Sequence, residues 1–309
     1  MIKTACTFIF FASAAMAQNI VSGGEYRGQS FANLNLDGVS ASGASFTGSD
    51  LSGVSFRGAD LREVQFRGAD LSNTDFTGAN LGNADMTFGN LRGAILKDVF
   101  AAKIKLISAK LVDANLIGAF LGGADLTRAN LTNANLTNAL LQDSNLLQAN
   151  LENANLSNAI LGTNSPGSSA PLPAQMQSAK LKGAILIDAN MIGVNLSGAN
   201  LTDANLNGSN LAMSNLNWIK ANNSNFQDAN LSGATAKGGN FQNAEMARAN
   251  MTLLRAAGAN FSNANLAHVN LEWADLSLCI LTDTNLSDIL NDGLRLDGAI
   301  GSTAITSGY

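Results

Sequence analysis

The single histidine of the chain, His268, lies in a series of charged residues spaced twenty positions apart. Asp228 and Arg248 precede it, and Asp288 follows it. A histidine beside a carboxylate can transfer protons, because the carboxylate orients the imidazole and stabilises its charged form. The sequence identifies no nucleophile or oxyanion-binding group beside this pair. We therefore interpret the series as a ladder of exposed charges and predict no catalytic residue.

The two cysteines, Cys6 and Cys279, limit metal and disulfide chemistry. Together with one histidine they are too few for a zinc site of the His/Cys type, and they build no disulfide framework. Cys279 occupies a position held by alanine twenty residues away in each direction, at Ala259 and Ala299. We interpret it as a buried, inert thiol, and we predict no metal site, no cofactor-binding residue and no cofactor.

The composition excludes two broad classes of protein. Charged residues make up 13% of the 309, about half the usual share, while hydrophobic residues make up an ordinary 46%. Disordered chains combine few apolar residues with a high net charge, so this chain is not one of them. The net charge of -5 has the wrong sign for a protein that binds nucleic acid.

The first 17 residues have the three parts of a secretory signal peptide. Lys3 supplies a positive start, residues 4–14 are largely apolar, and Ala15-Met16-Ala17 supplies the small residues that a signal peptidase recognises. The apolar run is shorter than the ~20 residues that span a bilayer, and no later segment is long enough. We therefore predict cleavage before Gln18, no membrane span, and a periplasmic or secreted mature protein.

Apolar residues recur at every fifth position through most of the chain. From Phe31 to Leu161, and again from Leu181 to Leu286, these positions hold Leu, Phe or Met with few exceptions, all of them Ala. We call each such residue a centre, the small residue two before it the small position, and the usual Asn or Asp directly before it the outer position. The turn position lies two residues past the centre. A period of five fits neither a helix nor a strand, so the chain must turn a corner every five residues.

A second period of twenty residues predicts four corners per coil. Phe46 and Phe66 are separated by this interval, and so are Phe241 and Phe261. Stacked coils would repeat at the strand spacing of ~4.8 Å. Four alanine centres are each followed at the next corner by phenylalanine, which keeps the cross-section filled: Ala41 by Phe46, Ala221 by Phe226, Ala236 by Phe241, and Ala256 by Phe261.

Runs such as Ala124-Asp125-Leu126-Thr127-Arg128 and Ala199-Asn200-Leu201-Thr202-Asp203 resemble the pentapeptide repeat family. The resemblance covers nearly all of the chain from Tyr26 to Ala299. It implies an all-β fold, a right-handed quadrilateral parallel β-helix of about 14 coils at twenty residues per coil. The handedness and square section come from the resemblance, whereas the period comes from the residues.

One interruption divides the repeats into an N-terminal part, residues 18–161, and a C-terminal part, residues 174–300, followed by a tail, 301–309. Residues 162–173 are rich in Pro, Ser and Gly, and Pro166 and Pro171 fall on centre positions. The interval from Leu161 to Leu181 is still twenty residues, so we expect one ordinary coil with a loop bulging from a continuous stack. The alternative is a linker between two shorter β-helices.

An apolar column at outer positions is the candidate partner interface. It consists of Phe100, Phe120, Leu140 and Ile160, twenty residues apart, where most coils have Asn or Asp. A neighbouring face adds Ile107, Leu147 and Ile187. Exposed patches of this kind usually bind a partner. The alternative is that the loop folds back and covers the column with Pro171, Leu172 and Pro173.

These observations favour an exported, non-enzymatic protein that binds a protein partner through flat solenoid faces, with self-association left open. The family resemblance implies a rival function, since its best-understood members imitate B-form DNA and bind DNA gyrase, protecting it from quinolones. The signal peptide, the mild charge and a C-terminus without an amphipathic helix argue against that function here. A secreted effector or lumenal protein is the third alternative.

Overall fold

The computed structural model describes residues 20–163 and 171–301, so the predicted signal peptide and the residues after Gly301 lie outside the described structure. The chain divides into two compact units, an N-terminal unit ending at Ala139 and a C-terminal unit beginning at Leu140. Each unit is an all-β repeat solenoid. Among the described residues, no helix is long and apolar enough to cross a membrane.

The regular structure consists of parallel β-bridges, one residue long, at the outer positions. They run from Glu25↔Ser45 to Asn115↔Asn135 in the N-terminal unit, and from Leu140↔Ile160 to Ile280↔Ile300 in the C-terminal unit. Most bridges join residues twenty apart, and each brings backbone hydrogen bonds. For example, the Asp50 amide donates to the Gln29 carbonyl at 2.9 Å and the Leu51 amide donates to the Asp70 carbonyl at 2.7 Å. The predicted spacing of one coil per twenty residues is confirmed.

Each corner is a four-residue turn that begins at the centre. The Leu34 amide donates to the carbonyl of the centre Phe31 at 3.1 Å, and Asn33 between them has φ 60°. A positive φ at the third residue is the signature of a type II turn, which glycine and asparagine adopt most easily. This requirement explains why the turn positions are mostly Gly, Asn or Asp.

The Asn and Asp residues at outer positions hold the following backbone in place. The Asn130 side-chain oxygen accepts a hydrogen bond from the Thr132 amide at 3.1 Å, and Asn200 does the same for Thr202. Such a bond mimics a backbone turn and satisfies an amide that the backbone hydrogen bonds between adjacent coils leave free. An apolar residue at an outer position cannot make this bond.

The centres and small positions fill the interior of each unit. Phe46 stacks on Phe66 with ring centroids 5.4 Å apart, and Phe241 stacks on Phe261 at 4.9 Å. Ala236, beside Phe241, is also completely buried. The predicted compensation of small centres by large neighbours is therefore confirmed at this layer, as close packing requires.

The structure corrects the predicted coil length at the loop. Asn145 bridges to Gln175 and Ile160 bridges to Asn190, so residues on either side of the loop pair directly across an interval of thirty residues. Leu161 donates to the Asn190 carbonyl, and the interval from Leu161 to Leu181 is therefore not one coil. The bridges continue across the loop, as the predicted bulge from a continuous stack requires and as the linker alternative does not.

Backbone contacts close this lengthened turn. The Ala174 amide donates to the Leu161 carbonyl at 2.8 Å, the bond that elsewhere joins a centre to the residue three positions later. Gly162 packs so closely against the backbone of Ile192 that an added Cβ would overlap it. Glycine is required there because any side chain would collide with the backbone of the adjacent coil.

Candidate functional site

The first half of the predicted apolar column lies in the N-terminal unit. Phe100 and Phe120 form a parallel bridge, and their rings stack with centroids 4.9 Å apart at an interplanar angle of 4°. Phe100 is 49% exposed, and Phe120 is half-buried. The pair therefore presents aromatic surface to solvent where the repeat normally presents an amide.

The second half lies in the C-terminal unit. Leu140 and Ile160 form a bridge, and both are half-buried. The column ends there, because the next residue bridged to Ile160 is Asn190. The structure thus contains the four residues as two pairs, one in each unit, and their action as one interface stays a prediction.

The predicted placement of Leu147 and Ile187 on one neighbouring face is wrong in the C-terminal unit. The Gln148 amide donates to the Gln177 carbonyl, and the Asn158 amide donates to the Ile187 carbonyl. Leu147 is therefore in register with Gln177, and Ile187 with Ser157, because the loop lengthens the coil. Ile107 lies in the N-terminal unit, where Ser108 donates to the Thr127 carbonyl. Leu147 and Ile187 therefore share no column, and Ile107 lies in the other unit.

The part of the loop that the structure describes is anchored at Asp143. The Leu172 carbonyl accepts from the Asp143 amide at 2.8 Å, and the Leu172 amide donates to the Asp143 carboxylate at 2.7 Å. These bonds place Leu172 beside Gln142, where its side chain is 56% exposed. The predicted covering of the Leu140–Ile160 pair by Pro171, Leu172 and Pro173 stays a prediction, and residues 164–170 lie outside the described structure.

The charged series around His268 forms one column of turn positions, each with positive φ. Arg248 donates two hydrogen bonds of 2.7 Å to the Asp228 carboxylate, and these bonds lower the pKa of Asp228. His268 Nδ1 lies 3.7 Å from the Asp288 carboxylate. All four side chains are at least 46% exposed, which is the geometry of solvated surface charges.

Cys279 is completely buried, and its thiol contacts the Ala256 carbonyl at 3.1 Å. Burial raises its pKa to about 11, so the thiol stays protonated at neutral pH. Among the described residues, no group of three or more His, Cys, Asp or Glu side chains is placed to hold a metal ion.

Large apolar residues at turn positions of the C-terminal unit were missed by sequence reasoning. They are exposed by 55–67%, and they have φ between 58° and 61°, which L-residues with large side chains rarely adopt. They lie in two columns: Met213, Leu253 and Trp273 in one, and Trp218 and Leu278 in the other. Listing every turn position that is not Gly, Asn or Asp would have found them.

These two columns border one face, which we call the tryptophan face. Its outer positions carry Arg255, Asp275 and Arg295, joined by bridges. Trp273 lies over Gly293, and Trp218 lies over Gly238, in space that a Cβ would fill. A depression of about 430 Å³ lies between Trp273, Leu253, Met213 and the charged residues. The face combines aromatic, aliphatic and charged groups, the composition of protein-binding hot spots.

Within the tryptophan face the charges are unevenly paired. Asp275 accepts from Ser277, which lowers its pKa, and its carboxylate lies 3.5 Å from Arg295. Arg295 also donates to Asp297 at 3.0 Å. Arg255 is exposed and forms no ion pair with another described residue.

Comparison with known proteins identifies the family. The sequence profile described as "Pentapeptide repeats" matches well over half of the chain, and the chain belongs to this family. The matched residues are 30–63, 59–98, 109–146, 134–162, 174–211, 214–252 and 255–288. Among curated proteins, none matches this chain in sequence.

Solved structures of pentapeptide repeat proteins resemble the chain. HetL, involved in heterocyst differentiation regulation in the cyanobacterium Nostoc sp. strain PCC 7120, is 28% identical, with 89% of this chain and 92% of that chain covered and a TM-score of 0.33. A protein of the Arabidopsis thaliana thylakoid lumen is 32% identical over 40% of this chain and 71% of its own, with a TM-score of 0.18. QnrB1, a plasmid-mediated fluoroquinolone resistance protein, is 16% identical over 64% and 90%, with a TM-score of 0.43.

Proposed function

We propose that this chain is an exported, non-enzymatic module that binds a protein partner through flat solenoid faces. The observation that carries the proposal is the stacked and half-exposed pair of Phe100 and Phe120. Aromatic surface of this kind contributes strongly to binding when a partner removes it from water. The right-handed winding that the family resemblance implies is part of the same proposal.

At position 120 ring stacking takes the place of a local hydrogen bond, so the pair brings little net advantage to folding. An Asn at position 120 would accept a hydrogen bond from the Gly122 amide, as Asn130 does for Thr132. Phenylalanine forgoes that bond and leaves Phe100 49% exposed. A residue that relinquishes a local bond and stays in water is better explained by an external contact than by packing.

Phe120→Asn tests the interface. We expect capture of the partner in a crosslinking pull-down to fall at least tenfold, because the stacked surface is lost. The melting temperature should change little, since the new Asx bond, worth about 1 kcal/mol, offsets the lost ring stacking. Lys110→Asn, at an exposed outer position of another face, is the matched control. Unchanged capture by Phe120→Asn would contradict the proposal.

Export is tested separately by the native N-terminus. Mass analysis of the protein recovered after cell fractionation should give a chain that begins at Gln18, outside the cytoplasm. A cytoplasmic chain that retains Met1 would contradict export and would favour the gyrase-binding alternative.

A further inference from the structure

We infer that the tryptophan face binds a second copy of this chain, face to face and with the coils running in opposite directions. This inference deepens the proposed interaction role and uses a face different from that of Phe100. It rests on the pairing that a two-fold axis would produce. Homodimers with this symmetry are common, and each of their contacts occurs twice.

The two-fold axis would lie in the plane of the face and run parallel to the coils, between the coil of Arg255 and the coil of Asp275. Rotation about it reverses the order of the coils but keeps each column opposite itself. A residue in the coil just before the axis therefore meets the residue of the same column in the coil just after the axis, in the second copy. The bridge between Arg255 and Asp275 shows that these coils are adjacent.

Under this rotation the charges of the face complement one another. Arg255, which has no ion-pair partner among the described residues, meets Asp275 of the second copy, and Asp275 meets Arg255. One coil further out, the exposed Lys237 meets Asp297, whose side chain is 77% exposed. Opposite charges across a contact fix its register and disfavour other alignments.

The apolar groups fit the same axis. Leu253 meets Trp273 of the second copy, so the two exposed side chains cover each other. In the other column, Leu278 lies over Gly298. Under the rotation that glycine meets Gly238 of the second copy, over which Trp218 lies, so the leucine faces the tryptophan. Further out, Gly293, over which Trp273 lies, meets Gly233, which Met213 covers, so apolar side chains face each other there as well.

The backbone conformation supports a role outside folding. Leu253, Trp273 and Leu278 have φ between 58° and 61°, a region that costs L-residues about 1–2 kcal/mol relative to glycine. They are also mostly in water. Unfavourable backbone geometry at exposed residues is typical of functional sites.

The test is a charge exchange in the full chain, followed by light scattering. Wild-type protein should form dimers, whereas Arg255→Asp and Asp275→Arg should each remain monomeric at concentrations where wild type is dimeric. Mixing the two variants should restore dimers, because the new aspartate of one variant then meets the new arginine of the other, and the unchanged Asp275 meets the unchanged Arg255. The double variant should also dimerise, and Lys220→Asp, an exposed control on another face, should behave like wild type.

Fluorescence gives an independent measurement. The two tryptophans of the chain, Trp218 and Trp273, both lie on this face, so a change in emission with concentration reports its burial. Should Asp275→Arg fold poorly, Lys237→Asp and Asp297→Lys provide a second exchange at exposed positions.

A wild-type chain that stays monomeric, single variants that remain dimeric, or a mixture that stays monomeric would each overturn the inference. The outcome is independent of the Phe120 test, because Phe120→Asn leaves the tryptophan face unchanged. Loss of partner capture in Phe120→Asn with intact dimers would separate the two surfaces.

Discussion

The N-terminal and C-terminal units use their turn positions differently. In the N-terminal unit these positions are mostly small or polar, and Phe88 is the large apolar exception among its described residues. In the C-terminal unit the same positions hold both tryptophans, together with Met213, Leu253 and Leu278. The backbone is alike in both units, with φ near 60° at these positions. The repeat therefore determines the backbone of the coil in both units, whereas the side chains at the turn positions can vary and form a binding surface.

The largest expected effect on stability comes from a substitution in the interior, compared with the same substitution on the surface. Leu131 is completely buried, so Leu131→Asp places an unpaired charge among apolar groups and should cost several kcal/mol. Thr132 points outward, and Thr132→Asp should change stability by about 0.5 kcal/mol. Thermal melting of the two variants measures both effects. Equal losses of stability would contradict the inward assignment of the centres.

Acid should weaken the N-terminal unit before the C-terminal unit. Asp85 is 8% exposed, and burial alone would raise its pKa, but hydrogen bonds from Thr87 and Arg67 outweigh this and lower it below 3.8. The pKa of Asp75 is lowered likewise, by Thr77 and Arg57 against burial. A carboxyl whose pKa is lowered by folding stabilises the folded protein at pH values above its ordinary pKa. That stability is lost as the pH falls through the lowered pKa.

Hydrogen exchange at neutral pH and near pH 3 measures this difference. We expect protection to decrease first in the coils around Asp75 and Asp85, because these side chains are 21% and 8% exposed. The two carboxyls with a lowered pKa in the described C-terminal unit, Asp228 and Asp275, are more exposed, at 46% and 29%, so solvent weakens their interactions. Arg67→Gln removes one of the groups that lower the pKa of Asp85, so it should reduce the loss of protection on acidification. Uniform loss of protection across both units would contradict the prediction.

The smallest effect is expected from exchanging a large apolar residue and an asparagine at turn positions of the two units. Leu253→Asn relieves the positive φ of a large side chain and should raise the stability of the C-terminal unit by up to about 1 kcal/mol. Asn83→Leu introduces the same conflict in the N-terminal unit and should lower stability by a similar amount. Melting curves recorded at low concentration, where no dimer forms, compare the two. Shifts in the same direction would show that backbone preference does not govern these positions.

Much of the fold could be predicted, because the apolar residue at every fifth position leaves few alternatives. The twenty-residue coil and the pairing of Ala236 with Phe241 followed from volume and periodicity, and both are confirmed. The register beyond the loop could not be predicted from spacing alone. Leu181 lies in the repeat frame, yet hydrogen bonding pairs Leu161 with the coil that contains Asn190. An insertion that is a multiple of five keeps the frame while changing which coils are neighbours.

The candidate surfaces were predicted less completely than the fold. The Phe100–Phe120 pair was found because Phe at an outer position departs from the usual Asn. The tryptophan face was missed because its large residues stand at turn positions, outside the centre, small and outer positions that define the repeat. Its signal is a physical one, since Trp273 and Leu253 combine a large side chain with the left-handed backbone that each corner requires.

The lengthened coil also makes the C-terminal unit suited to fragment complementation. Asn145 bridges to Gln175, Asn150 to Lys180 and Asn155 to Ile185, so hydrogen bonds across the stack join the chain before Thr163 to the chain after Pro171. Cutting the covalent chain between these two residues would remove none of those ladders. Two co-expressed fragments divided there should reassemble through them, and a guest peptide inserted at the same point should leave the coils in register.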